Sequence, residues 1–421
     1  MLPLSKTAGN GGRIKKGADT FVVKEITQNG ILLEPGRHYS SDELGEQDIK
    51  EGGFARFILQ KKNWDTIQAL TTIARRFGRG VKSIGYAGMK DRLSTSVQLA
   101  SIFGISSGAL AGLRIKDIEI NGAWQSSSGV GLGDLLGNSF SIAIDRPLDE
   151  KRVMRILSEL NGQMPNYFGM QRFGSRGNNF RIGISILNGN FKEAVMAFLT
   201  STDNEINSEA VDARRRLAEE QDFAAAAGYF PEYLKYERKM LSYISKYGNF
   251  ANALRLLPRG LLIMFIHSVE DIIFNAALEA RIRSNDFENE LESCGLNAYG
   301  FPDITIPCDR SSGTCVPVGN LIGYETPKEK LSSYEKAAID ALGINAEMFK
   351  IESMPELSMK GSLRPILVKF KDFSYENRGE ESILSFSLPA GSYATVFANE
   401  FTKQDMSSVA EMAPELGDSW R

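Results

Sequence analysis

Strand-like sequence lies at both ends of the 421-residue chain, and a long helical region separates the two ends. Up to Pro147, apolar residues fall in short runs rich in β-branched and aromatic side chains, which is typical of strands. Beyond Pro147 they recur every three or four positions, as in amphipathic helices, and strand patterns return after residue 363. We therefore predict one domain built from both ends of the chain and interrupted by an inserted domain, whose own ends must lie close together.

The predicted elements follow this division. Asn29-Gly30 separates two β-forming runs, which is a hairpin signal, and Asn63 is the predicted cap of a helix whose pattern ends at Gly78. Strands are predicted at 19–35 (as a hairpin), 81–87, 96–103, 113–120, 138–144, 364–370 and 382–388. Helices are predicted at 64–77, 149–161, 191–200, 206–222, 231–247, 258–283, 331–349 and 391–401. We expect irregular structure at 286–315 and loose order at 404–421.

Composition places the chain among soluble globular proteins, with 42% hydrophobic and 24% charged residues. Because the formal net charge is -3, any nucleic-acid site must be a local basic patch. The chain has three cysteines and two histidines, too few and too scattered for a disulfide scaffold, a zinc site or a histidine-based triad. We therefore expect a cytoplasmic protein without a bound metal.

Two segments bear on export and membrane insertion. The N-terminal residues 1–16 are too polar for a secretory signal. The most apolar stretch, Leu261–Phe274, is interrupted by His267, Glu270 and Asp271. It therefore predicts a buried helix rather than a membrane span.

The first candidate site is Gly85–Arg92, where Asp91 lies between Lys90 and Arg92 on a loop that joins two predicted strands. Such a triplet is commonly a solvated turn with weak, exposed ion pairs. Alternatively, the neighbouring positive charge keeps the carboxylate ionised, and the carboxylate acts as a nucleophile at a sugar carbon. The local sequence alone does not decide between these interpretations.

The second candidate is the segment Pro165–Gly174, which brings three aromatic residues together with Asn166, Gln171 and Arg172. One interpretation is a domain junction packed by aromatic side chains. The other is a set of ring faces, including that of Phe168, and hydrogen-bonding groups close to a nucleotide.

The third candidate is Leu136–Phe140, at the start of a predicted strand. By default Asn138 is a turn residue and Phe140 is the first core residue of the strand. Beside a carboxylate, however, Asn138 would offer an amide that orients the acid, and Phe140 a ring that stacks on a base.

Taken together, these three segments resemble the TruD family of pseudouridine synthases. The family's nucleophile motif is similar to Gly88–Arg92, and a glutamine further along matches Gln98. The family's Pro-Asn-Tyr-Phe-Gly-x-Gln-Arg-Phe-Gly run matches 165–174 at every specified position, and it is the most specific part of the resemblance. The resemblance runs from about residue 12 to about residue 402 and includes Lys15, Phe21–Glu25, Gly137–Phe140, Leu257–Arg259, Arg364-Pro365 and Leu388–Thr395.

The chain departs from the family pattern in two places. Ala18-Asp19-Thr20 stand where the family usually has Pro-Glu-Asp, and Ser94 and Ser96 stand where it usually has Ala and Thr. These changes concern strand packing more than charge, and they bear on Lys15 more than on Asp91.

The resemblance implies an α+β fold, namely the pseudouridine synthase fold with a mixed, largely antiparallel sheet, plus an inserted α/β TRUD domain. It places the catalytic domain at 1–170 together with 374–421, and the insertion, which looks more like that of archaeal or eukaryotic members, at 171–373. It implies an isomerase that converts uridine to pseudouridine in tRNA, usually at position 13 of the D arm, on a base flipped out of its stack. It implies tRNA as partner and no cofactor, and we expect a monomer that needs neither a membrane nor a protein partner.

The resemblance also assigns roles to single residues. Asp91 is the expected nucleophile, Asn138 its holder and Phe140 the ring that faces the flipped uracil. Lys15 is either the charge partner of Asp91 or an exposed lysine near the N-terminus. The expected substrate-binding residues are Phe21, Lys90, Arg92, Gln98, Asn166, Phe168, Gln171 and Arg172.

Basic residues that could contact phosphates form two groups. The first contains Arg75, Arg76, Arg79 and Lys82, and the second contains Arg172, Arg176 and Arg181. The first group equally fits a solvated basic end of a helix, which the helix dipole favours. Arg214–Arg216 is followed by Glu219 and Glu220, which predicts a solvated helix face.

Two other functions fit the same residues. The chain could be a catalytically silent tRNA-binding protein or chaperone of the same fold, although the intact Lys90-Asp91-Arg92 triplet argues against this. It could also be a small-molecule glycosidase or lyase that uses Asp91, although the large insertion and the aromatic and arginine-rich segment favour a larger substrate.

Overall fold

The computed structural model describes residues 1–287, 290–308, 314–404 and 409–418. The strands are β1 (Phe21–Thr27), β2 (Phe54–Lys62), β3 (Ile84–Tyr86), β4 (Thr95–Phe103), β5 (Ile118–Ser126), β6 (Leu135–Ile144), β7 (Gln163–Pro165), β8 (Leu291–Leu296), β9 (Pro302–Asp303), β10 (Thr314–Leu321), β11 (Ser362–Pro365), β12 (Leu367–Lys369), β13 (Lys371–Arg378) and β14 (Glu381–Pro389). The helices are α1 (Thr66–Arg76), α2 (Ser107–Leu110), α3 (Glu150–Leu160), α4 (Asn179–Leu187), α5 (Phe191–Thr200), α6 (Ser208–Glu220), α7 (Phe223–Tyr229), α8 (Lys235–Tyr247), α9 (Phe250–Leu254), α10 (Arg259–Ser284), α11 (Ser333–Ala341), α12 (Ala394–Thr402), α13 (Val409–Met412) and α14 (Pro414–Asp418).

The main sheet takes strands from both ends of the chain, in the order β13-β14-β6-β1-β4-β2-β5, and β3 pairs with β4 beside β1. Its neighbouring strands pair antiparallel except β1 and β4, which run parallel. The parallel pairing places the start of β4 beside the start of β1, and therefore brings the loop after β3 to the middle of the sheet. The predicted α+β fold with a mixed, largely antiparallel sheet is confirmed.

The helix-rich middle of the chain has its own core around α10. Apolar side chains of α4, α5, α6, α8 and α11 pack there with residues of α10 between Leu262 and Ala276. Phe274 and Leu278 of α10 belong instead to the core beneath the main sheet, so this helix joins the two cores. By length and composition α10 could cross a membrane, but 78% of its most apolar window is buried inside the protein.

The ends of the middle region lie side by side, because β7 pairs antiparallel with β12. The edge strand β13 of the main sheet begins at Lys371, just before the predicted boundary at 374. At the C-terminus, Val409, Ala413 and Leu416 pack into the helical core rather than against the main sheet. The exact domain division remains a prediction.

Several elements differ from the sequence predictions for identifiable reasons. β2 escaped prediction because it is buried on both faces and so lacks polar alternation. The Asn29-Gly30 turn forms, but the returning chain makes only the isolated pair Ile26–Leu32, so β1 has no hairpin partner there. α11 ends early because Gly343 adopts a left-handed φ of 64°.

Other predicted stretches were only partly right. Residues 286–315 were expected to be irregular, yet β8 and β9 lie there, with β10 starting at Thr314. The helices α2, α4, α7 and α9 were missed, and α13 and α14 lie in the stretch expected to be loose. The predicted cap of α1 was wrong, since Asp65 and not Asn63 accepts the backbone N–H of Gln68. Within these two stretches, 288–289, 309–313, 405–408 and 419–421 are outside the described residues.

Candidate active site

The loop between β3 and β4 carries Asp91, and its backbone is fixed by buried polar side chains. The ammonium of Lys61, on β2, donates hydrogen bonds to the carbonyl oxygens of Asp91 (3.1 Å) and Trp64 (2.7 Å). Burial lowers the pKa of Lys61 to about 8, although nearby Asp65 and Asp91 act in the opposite direction. The Ser94 hydroxyl also donates to the Asp91 carbonyl, at 2.6 Å. The loop is therefore held in one conformation before any substrate binds.

Two further side chains fix the loop, Gln98 of β4 and Thr66 at the start of α1. Gln98 donates to the carbonyl of Gly88 at 3.1 Å and accepts a hydrogen bond from the Thr66 hydroxyl at 3.1 Å. Thr66 in turn accepts the backbone N–H of Lys90 at 3.0 Å. Gln98 is fully buried and lies beneath the loop, outside the described residues that line the pocket at Asp91. The observed contacts of Gln98 are thus with the loop.

The Asp91 side chain is exposed and lines a cavity of about 150 Å³. The cavity lies where β1, β6, the Asp91 loop and the N-terminus of α12 meet. Its lining residues are Phe21, Val23, Met89, Lys90, Asp91, Asn138, Phe140, Gln171, Ser392, Tyr393, Ala394 and Thr395. The structure thus brings together residues from chain segments that are remote in sequence, and we call this cavity the catalytic pocket.

β1 and β6 supply the apolar floor of the catalytic pocket. Val23 lies opposite Phe140 in the β1–β6 register, and Phe140 lies opposite Phe386 of β14. The Phe140 ring is 5.6 Å from the Phe386 ring and is nearly buried, so it belongs to the core as well as to the pocket. Phe21 is buried beside it. Because packing already fixes the Phe140 ring, the ring can stack on a planar ligand without losing further conformational entropy.

Asn138 is the amide of the pocket floor. Its Oδ1 atom is buried and has no hydrogen-bond partner among the described residues. A buried polar atom without a partner is costly unless a ligand or water satisfies it. The amide that contacts Asp91 in the structure comes from a different residue. The role of Asn138 as the holder of Asp91 therefore stays a prediction.

That amide belongs to Gln171, whose Nε2 donates to Oδ1 of Asp91 at 3.3 Å. Gln171 lies in a short turn of 3-10 helix, Met170–Phe173, in the segment 165–174. The turn directs Gln171 towards the pocket, while Phe173 points into the helical core. This hydrogen bond limits the positions that the Asp91 carboxylate can adopt in the catalytic pocket.

Other members of this segment contact protein rather than the pocket. The Asn166 side chain donates to the Pro365 carbonyl and accepts from Arg364 and Ser392. The Phe168 ring packs under the guanidinium of Arg364, at 4.0 Å. These residues lie outside the described lining of the catalytic pocket, and their substrate-binding role stays a prediction.

Arg172 also points away from the catalytic pocket, because it forms a two-point ion pair with Asp271 of α10 at 2.7 Å and 3.4 Å. Burial raises the pKa of Asp271 to about 6, against the opposing effect of Arg172. α10 also holds the backbone of Phe168 through Asn275, at 2.8 Å and 2.9 Å. The long helix therefore positions the segment that carries Gln171.

Two predicted cations, Lys15 and Arg92, do not line the catalytic pocket. The ammonium of Lys15 pairs with Glu381 of β14 at 2.7 Å, which raises the pKa of this exposed lysine. Arg92 is exposed, and like Lys15 it lies outside the described pocket lining. Lys90 does line the pocket, but its ammonium is buried against Glu25 at 2.8 Å.

The predicted basic groups differ in their availability for RNA. In the second group, Arg176 donates to the carbonyls of Phe198 and Ser201, and Arg181 pairs with Glu415. Arg214 was expected on a solvated face; that was wrong, since it is buried and pairs with Glu237. In the first group, Arg75, Arg76 and Lys82 are exposed near the end of α1. The described part of the chain contains no group of three or more His, Cys, Asp or Glu side chains that could hold a metal ion.

The N-terminus of α12 completes the pocket with residues that were not predicted as site residues. Burial raises the pKa of the Tyr393 phenol, so its hydroxyl remains a donor at neutral pH. Gly169 is required beside this ring, because a Cβ there would lie 2.5 Å from it. The signal for Tyr393 was present in the sequence, since Leu388–Thr395 is one of the segments that carry the family resemblance.

A family model, individual relatives and a solved structure all point to the same protein family. The family model described as "tRNA pseudouridine synthase D (TruD)" matches residues 2–401. A relative from Pyrococcus abyssi, named "Probable tRNA pseudouridine synthase D", is 31% identical, covering 95% of this chain and 98% of the relative. A relative of the same name from Archaeoglobus fulgidus is 31% identical, covering 96% and 98%. The crystal structure of a TruD protein from Methanosarcina mazei matches with a TM-score of 0.72 at 28% identity, covering 96% of both chains.

Fold, pocket and matches together define the class of protein as an RNA-modifying isomerase, a pseudouridine synthase. Within that class the chain belongs to the TruD family of tRNA pseudouridine synthases. The resemblance found in the sequence is confirmed.

Proposed function

We propose that this protein converts uridine to pseudouridine at position 13 in the D arm of tRNA, with Asp91 as the nucleophile and the target base flipped out of its stack. One observation carries the proposal. An exposed carboxylate, on a loop fixed by buried side chains, lines a pocket that also contains aromatic rings and an amide oxygen without a partner. We also propose that the protein acts in the cytoplasm as a monomer.

The reaction needs an anionic group beside the sugar. The bond between N1 and C1′ breaks, the base turns, and C5 bonds to C1′, while C5 loses a proton and N1 gains one. Asp91 can serve by attacking C1′, by stabilising a cationic sugar or by taking a proton from C2′. Each route needs an ionised carboxylate in a fixed position, which the contacts to Gln171 and to the backbone of the loop supply.

The size of the pocket favours a single everted base. A cavity of about 150 Å³ is far too small for a base-paired stem, so the target nucleotide must leave its stack. Eversion costs a few kcal/mol, and stacking on an aromatic ring recovers part of that cost. Phe140 and Tyr393 offer ring faces, and the unpartnered Oδ1 of Asn138 would accept an N–H of uracil.

The decisive experiment compares the wild type with Asp91→Asn on tRNA labelled with tritium at C5 of uridine. We expect the variant to release no tritium yet to bind tRNA as the wild type does. Asp117→Asn is the matched control: Asp117 is exposed and has a φ of 62°, a conformation that Asn tolerates well. Normal turnover by Asp91→Asn would remove Asp91 from the nucleophile role.

The same material separates the enzyme from the silent alternative. If the wild type binds tRNA but forms no pseudouridine, the protein is an RNA-binding module or chaperone of the TruD fold. Mapping pseudouridine in tRNA with and without the protein also tests the assignment to position 13.

A further inference from the structure

A second cavity, of about 390 Å³, adjoins the catalytic pocket, and we propose that it binds the nucleotide next to the target uridine in the RNA chain. Gln171 and Thr395 line both cavities, so the two share a wall. We call the second cavity the flanking pocket; its other walls include Arg13, Lys16, Met170 and Asn399. The inference deepens the proposed function and rests on it, because it presupposes a uridine in the catalytic pocket.

Asn399 of α12 is the strongest sign of a ligand in the flanking pocket. Its side chain is 6% exposed, and its Oδ1 atom is buried with no hydrogen-bond partner among the described residues. An unsatisfied amide in the middle of a buried helix face destabilises the free protein. It becomes favourable if a bound molecule supplies the missing hydrogen bond, and a nucleobase edge carries such groups.

Two cations at the mouth of the flanking pocket are suited to the phosphate of that nucleotide. Arg13 and Lys16 are exposed, and no carboxylate of a described residue lies within ion-pair distance of either. Their backbone is nevertheless fixed, since the N–H of Arg13 donates to Asp145 at 2.6 Å and that of Lys15 donates to the Ala143 carbonyl at 2.8 Å. Free cations on an ordered segment can bind an anion at a low entropic cost.

The remaining walls fit a base better than they fit a small ion. Ile14 and Met170 offer apolar surface, while Thr402 and Gln404 add polar groups at the edge. Adjacent nucleotides are covalently joined, so when a uridine occupies the catalytic pocket its neighbour must lie within one backbone repeat. The flanking pocket is a cavity that shares a wall with the catalytic pocket and combines apolar, amide and cationic groups.

A nucleotide bound in the flanking pocket would also affect the position of the Asp91 carboxylate. Gln171 donates to Asp91 from one side of the shared wall and faces the flanking pocket on the other. A neighbouring nucleotide packed against Gln171 would restrict this side chain and with it the carboxylate. Recognition of the neighbour is thereby linked to the position of Asp91.

The test uses full-length tRNA substrates whose nucleotide on either the 5′ or the 3′ side of the target uridine lacks its base. With wild-type protein we expect one of the two abasic substrates to show kcat/KM lowered about tenfold, the usual effect of an unmade buried hydrogen bond. With Asn399→Leu the intact tRNA should show the same loss, and removing the base should add little. Leu is apolar, similar in size and a better helix former, so Tm should not fall.

The phosphate contact is tested with Arg13→Ala/Lys16→Ala against Lys151→Ala/Arg155→Ala. The control pair is exposed on α3, removes the same charge and lies outside the described lining of both pockets. The first double variant should reduce the salt dependence of tRNA binding (the slope of log K against log salt) by about 0.7, since the two cations share one phosphate and each neutralised phosphate of a single strand contributes about 0.7. The control should leave the slope nearly unchanged.

These outcomes are distinct from failure of the proposed function. If turnover is normal but both abasic substrates react like intact tRNA, or if Asn399→Leu keeps the full sensitivity to the missing base, the flanking pocket does not bind the neighbour. If the wild type forms no pseudouridine, the proposed function fails. In that case, comparing the Kd values of intact and abasic tRNA, instead of kcat/KM, still tests whether the flanking pocket binds the neighbouring nucleotide.

Discussion

The ammonium of Lys90 lies 2.8 Å from Oε2 of Glu25, and both side chains are buried. Glu25 belongs to β1, and Lys90 immediately precedes Asp91 on the loop after β3. The ion pair therefore ties the loop to the central strand of the sheet. The positive charge next to Asp91 in the sequence is paired with a structural carboxylate, so its evident effect is to fix where the loop lies.

Replacing Lys90 should therefore destabilise the fold. Lys90→Met leaves the Glu25 carboxylate buried without its partner, and we expect the free energy of unfolding to fall by about 3 to 5 kcal/mol. Urea denaturation measures this change. Lys24→Met is the control, because Lys24 lies 3.0 Å from Glu34 in a partly exposed pair that should contribute less than about 1 kcal/mol. Equal, small losses in both variants would mean that Lys90 does not anchor the loop.

The hydrogen bond from Gln171 to Asp91 makes a kinetic prediction. Gln171→Leu removes the donor, so the carboxylate should spend less time in its productive position, and kcat should fall about tenfold with a smaller change in KM. Single-turnover and steady-state assays on tRNA separate the two parameters. Gln28→Leu removes a similar contact, 3.2 Å from Gln28 to Asp134 on the surface, and should leave kcat unchanged. An unaltered kcat in Gln171→Leu would show that Asp91 is positioned without it.

The sequence predicts the sheet better than it predicts which residues line the site. β6 and β14 alternate between apolar and polar residues, so their positions follow from the pattern. β2 does not alternate, because both of its faces are covered, and no local pattern distinguishes such a strand from other buried segments. α10 is predictable because its length exceeds that of any strand.

For the site residues, the limit of sequence-based prediction is the direction in which each side chain points. The motifs identify the right chain segments, and the pocket does contain Asp91, Asn138, Phe140 and Gln171. A run such as 165–174 cannot show which side chains turn inwards, and in the structure Phe168 packs in the core. Side-chain direction in an irregular segment depends on distant partners, here Asp271 and Asn275 of α10. That information exists only in the folded chain.

Phe140 provides a test of stacking that does not depend on stability. Phe140→Leu keeps an apolar side chain in the core and should cost less than about 1.5 kcal/mol of stability. It removes the ring, and since stacking contributes about 1 to 3 kcal/mol per base, turnover should fall about tenfold or more. Phe386→Leu, which alters the ring packed against Phe140 but lies outside the described pocket lining, should leave turnover close to wild type. Equal effects of the two variants would assign Phe140 to the core alone.

Lys61 predicts a pH dependence of stability. Its pKa is about 8 in the folded protein because it is buried, against a usual value of 10.5. Between these values the unfolded chain binds a proton that the folded protein has released, so the contribution of Lys61 to stability rises with pH. Over the whole interval the rise should be about 3 kcal/mol.

The measurement is the free energy of unfolding of wild type and Lys61→Met at about pH 7.5 and about pH 10, since other groups that titrate in this range cancel in the difference. We expect wild type minus variant to increase towards high pH, because Lys61→Met has no proton to release there. At the lower pH the charged ammonium of Lys61 remains the donor to the Asp91 and Trp64 carbonyls. Removing this side chain in Lys61→Met should therefore also loosen the loop. A difference that stays constant with pH would show that Lys61 keeps an ordinary pKa because the surrounding carbonyls fully compensate for its burial. A difference that falls with pH would show that these carbonyls raise its pKa above the usual value.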